Sequence, residues 1–110
     1  MPRYLVAASY TAEGVKGLLK DKASGRKAAV TRAVEGLGGK LECFYFAFGA
    51  DDVVTIVELP DNVTGAALAL SIAASGMVNA RTTALLTVEE VDQAIGKSVD
   101  YKPPGSAKRR

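Results

Sequence analysis

The chain contains no histidine. That absence removes the commonest metal ligand, the Ser–His type of nucleophile activation and the usual general base at neutral pH. Cysteine is almost as scarce. Cys43 stands alone, which excludes an internal disulfide and cysteine-rich zinc sites and favours a reducing, cytoplasmic setting. Long apolar runs are missing too. The longest, "VTGAALALSIAASGMV" from Val63 to Val78, is shorter than the roughly 20 residues a bilayer demands and is broken by Gly65 and Gly76. It reads as a buried amphipathic helix, and no membrane partner is expected. The opening "MPRYLVAASY" resembles a first strand more than a signal peptide. Excess positive charge is also lacking. The formal charge is +2, but Lys108, Arg109 and Arg110 supply it, and the body without them carries about −1. No global basic field therefore argues for nucleic acid or an anionic membrane. Chemistry, if there is any, falls to Asp, Glu, Tyr, Lys, Arg or Cys43.

What is present is an ordinary globular composition, 48% apolar and 24% charged over 110 residues. That length fits one domain with a core large enough to need no metal or disulfide staple. "RYLVAAS" reads as a strand. Thr11 then caps a helix with Glu13 in its first turn, and Val15, Leu18 and Leu19 start its apolar stripe. "KASGRK" interrupts that helix, with Ser24 able to cap a second segment whose Val30, Ala33, Val34 and Leu37 share a face. Gly38 and Gly39 stop it. "KLECFYFAF" and "DVVTIVEL" are two strands joined near Gly49 and Ala50, and Pro60 ends the second. Asp61 or Asn62 caps the alanine-rich helix that Gly76 closes, and "NARTTALL" is a fourth strand. "TVEE" fits a capping box before a short final helix with Val91, Ala94 and Ile95 on one side.

The order β-α-β-β-α-β is the α+β, ferredoxin-like pattern, an antiparallel sheet with two helices on one face, here followed by a short C-terminal helix. Residues 1–97 form this domain. Residues 98–110 form an extended tail, which Val99 and Tyr101 are placed to pack down.

A sheet covered on one side should alternate apolar and polar residues. These strands do not. The second sets Leu41, Cys43, Tyr45 and Ala47 against Phe44, Phe46 and Phe48, and the third sets Val53, Thr55 and Val57 against Val54 and Ile56. An isolated domain would expose a large apolar face, so a homodimer joined sheet to sheet is expected. RNA-recognition motifs leave the same face open, but they require aromatic and basic residues on the third strand. "DVVTIVEL" has neither, and no nucleic-acid partner is expected.

The stretches "MPRYLVAASYTAEG", "VEGLGGKLECFYFAFGADDVV", "LPDNVTGAALAL" and "SVDYKPPG" together resemble the GYD domain family from about residue 1 to 105. The family's glycine-tyrosine-aspartate signature falls at Gly49 to Asp52, with Asp51 where the tyrosine is expected. The resemblance implies a dimeric α/β barrel. Relatives at that level include cofactor-free oxygenases, isomerases and ligand-sensing domains, among which fold alone does not choose.

The topology itself gives a candidate site. The end of the first strand should lie beside the start of the third and the start of the fourth. Asp52 and Arg81 would then flank Tyr10, separated by roughly 10 Å across one intervening strand. Tyr10, Asp52 and Arg81, with Tyr45 as an addition, are the expected ligand-binding residues. Asp52 has a competing role as an acceptor for backbone N–H groups at the turn. Asp51 is expected to face solvent. Consecutive strand residues point to opposite faces, so the two aspartates should not form a catalytic dyad. Cys43 reads as a buried structural thiol, and the basic first helix as a solvated face. The expected function is binding of a small apolar or aromatic molecule by a homodimer, with or without cofactor-free chemistry and with no cofactor implied. A non-catalytic assembly or regulatory protein is the alternative. A cavity of a few hundred Å3 lined by Tyr10 and charged groups separates the two.

Overall fold

Alternating burial sets the plan of the sheet in the computed structural model, which describes residues 1–105. Lys108, Arg109 and Arg110, the basic end of the tail, lie outside the described residues. The elements are β1 (Arg3–Tyr10), α1 (Ala12–Gly36), β2 (Lys40–Phe46), β3 (Val53–Glu58), α2 (Asn62–Ala74), β4 (Val78–Leu85) and α3 (Val88–Ile95). The four strands make one antiparallel sheet in the order β2-β3-β1-β4. The architecture is α+β and is compatible with the expected ferredoxin-like arrangement.

On one face of the sheet Tyr4, Val6 and Ala8 of β1 and Val53, Thr55 and Val57 of β3 are buried. Tyr4, Val57 and Leu59 meet Val34 of α1, with Val30, Leu37, Leu41 and Leu68 packed around them. This core occupies the end of the sheet where β1 begins. Gly65 lets α2 approach closely, because a Cβ there would stand 3.2 Å from the Tyr4 ring. The Tyr4 hydroxyl donates to Asn62 Oδ1 at the start of the same helix. The opposite face carries no helix. Leu5, Ala7, Val54 and Ile56 are half-buried there, and Tyr45 is exposed.

Register corrects one sequence expectation. Leu41 lies opposite Val57, but Cys43 lies opposite Ile56, so β2 carries a bulge between them. The extra residue, Glu42, turns its carboxylate to Arg3 Nε at 3.0 Å. The bulge puts Leu41, Phe44 and Phe46 on the helix side and Cys43 and Tyr45 on the open side. Phe44 and Phe46 accordingly meet edge to face at 5.4 Å. A strict period of two had grouped Cys43 and Tyr45 with Leu41.

The helix caps follow the sequence. Thr11, Asp61 and Thr87 each accept a backbone N–H three residues on, and Thr87 and Glu90 complete a capping box. The interruption expected in α1 is a kink at Lys22, whose φ of 67° and ψ of 166° belong to a region that is nearly glycine-only. The tail departs from expectation. Val99 and Tyr101 are exposed, as is every residue of α3. The chain has a radius of gyration of 18.2 Å and extends 65 Å along its longest axis. A compact domain of this length would have a radius near 13 Å. No described helix is long and apolar enough to cross a membrane.

Candidate functional site

The end of β1 is where the sequence placed its site, and there Tyr10 lies opposite Val78 of β4. The Tyr10 N–H donates to Asp52 Oδ2 at 2.8 Å. The Asp52 N–H donates to the Ala8 carbonyl, and the Asp52 carbonyl accepts from the Ala47 N–H, both at 2.8 Å. Asp52 thus joins the last ladder position of β1 to the β2–β3 turn, using its side chain as one more backbone acceptor. Ser9 adds a hydroxyl bond to the Ala50 carbonyl at 3.0 Å.

Arg81 pairs with a different acid. It lies opposite Ala7, which puts it on the open face. Its Nη2 contacts Asp51 Oδ2 at 2.9 Å. The Asp51 side chain is 20% exposed rather than solvent-facing, and its Oδ1 is buried without a hydrogen-bond partner. The two aspartates diverge, one to backbone and one to an arginine, and form no dyad. Tyr45 points from the open side of β2. Tyr10, Asp52, Arg81 and Tyr45 therefore do not share one pocket.

Tyr10 does line a pocket, on the other side of the sheet. The N-terminal turn of α1 is pinned to the α2–β4 connection. The Thr11 N–H donates to the Met77 carbonyl at 2.9 Å, and the Thr11 hydroxyl lies 3.1 Å from the same oxygen. The contact is so close that a Cβ on Gly14 would fall 2.0 Å from that oxygen, so only glycine fits. α1 then runs over β2 while α2 runs over β4. The helices diverge and leave a cavity of about 480 Å3 between them and the sheet. Val30, Val57, Leu68 and Ile72 form apolar walls, and Thr55, Ser71, Ser75 and Tyr10 bring polar atoms to them. The Thr55 hydroxyl is already committed, donating to the Cys43 carbonyl. The charged lining is Asp21 and Arg26, on either side of the Lys22 kink and 3.6 Å apart.

The sequence reading recognised the helix interruption but not that its flanking charges border a cavity. The available signal was the kink segment "KASGRK" itself, since a helix that bends away from a sheet leaves space beneath it. Among the described residues, no group of three or more metal-ligating side chains forms. The chemistry on offer is an apolar enclosure with hydroxyl groups and one ion pair. Against known proteins, a family model described as the GYD domain matches residues 4–95. No curated protein matches the chain.

Proposed function

This chain belongs to the GYD domain family, and from that premise we propose that it is a homodimer binding a small apolar or aromatic molecule in its helix-side cavity. The observation that carries the reading is the cavity of about 480 Å3 lined by Tyr10, apolar walls and the Asp21–Arg26 pair. Sites for small organic ligands are typically roughly 300–1,000 Å3, mostly apolar, with a few placed polar groups. Tyr10 is the one residue that the strand-end reasoning and the cavity have in common. Asp52 serves the site indirectly in this reading, by fixing the backbone from which Tyr10 projects.

The dimer reading rests on the face opposite the cavity. Leu5, Ala7, Val54 and Ile56 make an apolar centre there. Ion pairs bracket it, Arg3 with Glu42 and Glu58 at one end and Arg81 with Asp51 at the other. An apolar centre with a charged rim is the usual anatomy of a protein interface. Two such sheets packed face to face form a dimeric α/β barrel, in which each protomer keeps its own cavity on the outer, helix-covered side.

Native mass spectrometry of the protein purified from its own host tests both parts together. The expected result is a dimer carrying a small-molecule adduct. Ala29 lines the cavity, and Ala29→Trp should remove the adduct without changing the subunit number. A clean dimer with no adduct, and no thermal shift across a metabolite collection, would overturn ligand binding and favour the assembly role.

A further inference from the structure

The helix-side cavity is bordered by two charges, and they are not equivalent. Asp21 and Arg26 stand on either side of the Lys22 bend and line the same space. Arg26 Nη1 lies 3.6 Å from Asp21 Oδ2, an ion pair too long to be a hydrogen bond. Among the described residues, the Arg26 guanidinium donates no hydrogen bond. The exposures differ as well, 32% for the Arg26 side chain and 47% for that of Asp21. The cation is the more enclosed partner and has donors to spare. The carboxylate is the one that turns into water at small cost, since a loose, half-exposed pair contributes little.

The other walls add no second carboxylate. β1 contributes Val6 and Tyr10, and β3 contributes Thr55 and Val57. α2 has no ionisable side chain between Asn62 and Ala74, and it faces the cavity with Leu68, Ser71 and Ile72. Around the bend, Lys20, Lys22, Arg26 and Lys27 outnumber the one acid, Asp21. The bend also begins a second helical segment, and Arg26 lies in its first turn, near the positive pole of its dipole. The field at the bend is therefore positive. Beyond it, Val30, Val57, Leu68 and Ile72 make the lining apolar.

Resting on the reading of this cavity as a small-molecule site, we propose that its ligand is an amphipathic carboxylic acid, bound as the carboxylate. The carboxylate displaces Asp21 from Arg26 and accepts two N–H bonds from the guanidinium, whose flat fork matches its two oxygens. The apolar body lies against Val30, Val57, Leu68 and Ile72. An amine would have to bind the more exposed Asp21 and leave the more enclosed Arg26 without a counter-ion. A phosphate dianion would bring two charges to a cavity lined by one cation. Asp21 is the counter-ion that the ligand replaces.

Probes that share one ring system and differ in their polar group test the assignment on the full chain: 2-naphthoate, 2-naphthalenemethanol, 2-naphthylmethylamine and 2-naphthyl phosphate. The chain has no tryptophan, so naphthyl fluorescence is free of tryptophan emission. The acid should bind at least about tenfold more tightly than the alcohol, and the amine more weakly than either. Arg26→Gln should remove the advantage of the acid and leave the alcohol unchanged. Asp21→Asn should strengthen binding of the acid severalfold, because it deletes the competing carboxylate, and again leave the alcohol unchanged. Alcohol affinity is thus the control for an intact cavity in both variants. Equal affinity for acid and alcohol in the parent chain would overturn the proposal and leave the cavity as a binding site. Tighter binding of the amine or the phosphate than of the acid would overturn it too, as would an Arg26→Gln loss shared equally by acid and alcohol. Failure of all four probes to bind would remove both the proposal and the cavity reading on which it rests.

Discussion

Asp51 and Asp52 are adjacent, identical in chemistry and bound to different things, and the difference fixes what each is worth. Asp52 satisfies the Tyr10 N–H in a partly buried position. Asp52→Ala leaves that donor unpaired, and should cost about 1–3 kcal/mol of stability measured by urea unfolding. Asp51 meets the guanidinium of Arg81, whose side chain is 70% exposed. Such pairs contribute about 0–1 kcal/mol, so Asp51→Ala should change the same measurement little. Equal losses would show that the carboxylates are not attached as described. Asp61 gives a residue-scale test by pH. The hydroxyl and the N–H of Thr64 both donate to its carboxylate and hold its pKa below the ordinary 3.8. A lowered folded pKa contributes stability that is fully present above the unfolded value and lost as the pH falls through the folded one. The urea midpoint should therefore decline below pH 3.8, and Asp61→Ala should reduce that part of the decline.

The helices and strands themselves were mostly legible in the sequence, because their causes are local. Thr11, Asp61 and Thr87 cap helices through hydroxyls or carboxylates that reach three residues ahead, which needs no tertiary contact. The bulge in β2 was not legible. Nothing in "KLECFYF" forces Glu42 out of the ladder, and its placement reflects Arg3, which arrives from a strand 39 positions away. The kink in α1 was legible as an interruption but not in its geometry. Lys22 holds a conformation that costs a non-glycine residue about 1–3 kcal/mol. Lys22→Gly should consequently raise stability by about 1 kcal/mol, measured as a higher midpoint of thermal unfolding. A fall in that midpoint would mean that the lysine side chain, not the backbone, governs the bend. The same substitution probes the cavity, since Asp21 and Arg26 flank the bend and line the space beneath it.

At the scale of the whole molecule, the described chain leaves apolar side chains exposed along α3 and on the outer side of α1, and half-buried on the open sheet face. The buried apolar set is small, centred on Tyr4, Val34, Val57 and Leu59. The proposed sheet-to-sheet dimer would add to that burial. Ile56 sits half-buried at the centre of the open face. Ile56→Lys should weaken a sheet-to-sheet dimer by at least about tenfold in analytical ultracentrifugation, because a desolvated ammonium would replace an apolar contact. An unchanged sedimentation profile would remove the barrel reading.

The sequence by itself determined the order of elements, their caps, the two-sided apolar character of the strands and the exclusion of histidine-based chemistry. These depend on composition and on interactions within a few residues, which periodicity records. It also brought Tyr10 and Asp52 to one strand end, because β-α-β-β-α-β connectivity makes them neighbours. Tertiary structure alone decided that Arg81 meets Asp51 on the open face, while Tyr10 turns to the helix side. Side-chain parity depends on register, and register is a property of pairing. The cavity was likewise a tertiary outcome. It is the space left when α1, bent at Lys22, and α2, held close by Gly65, cover different strands of one sheet.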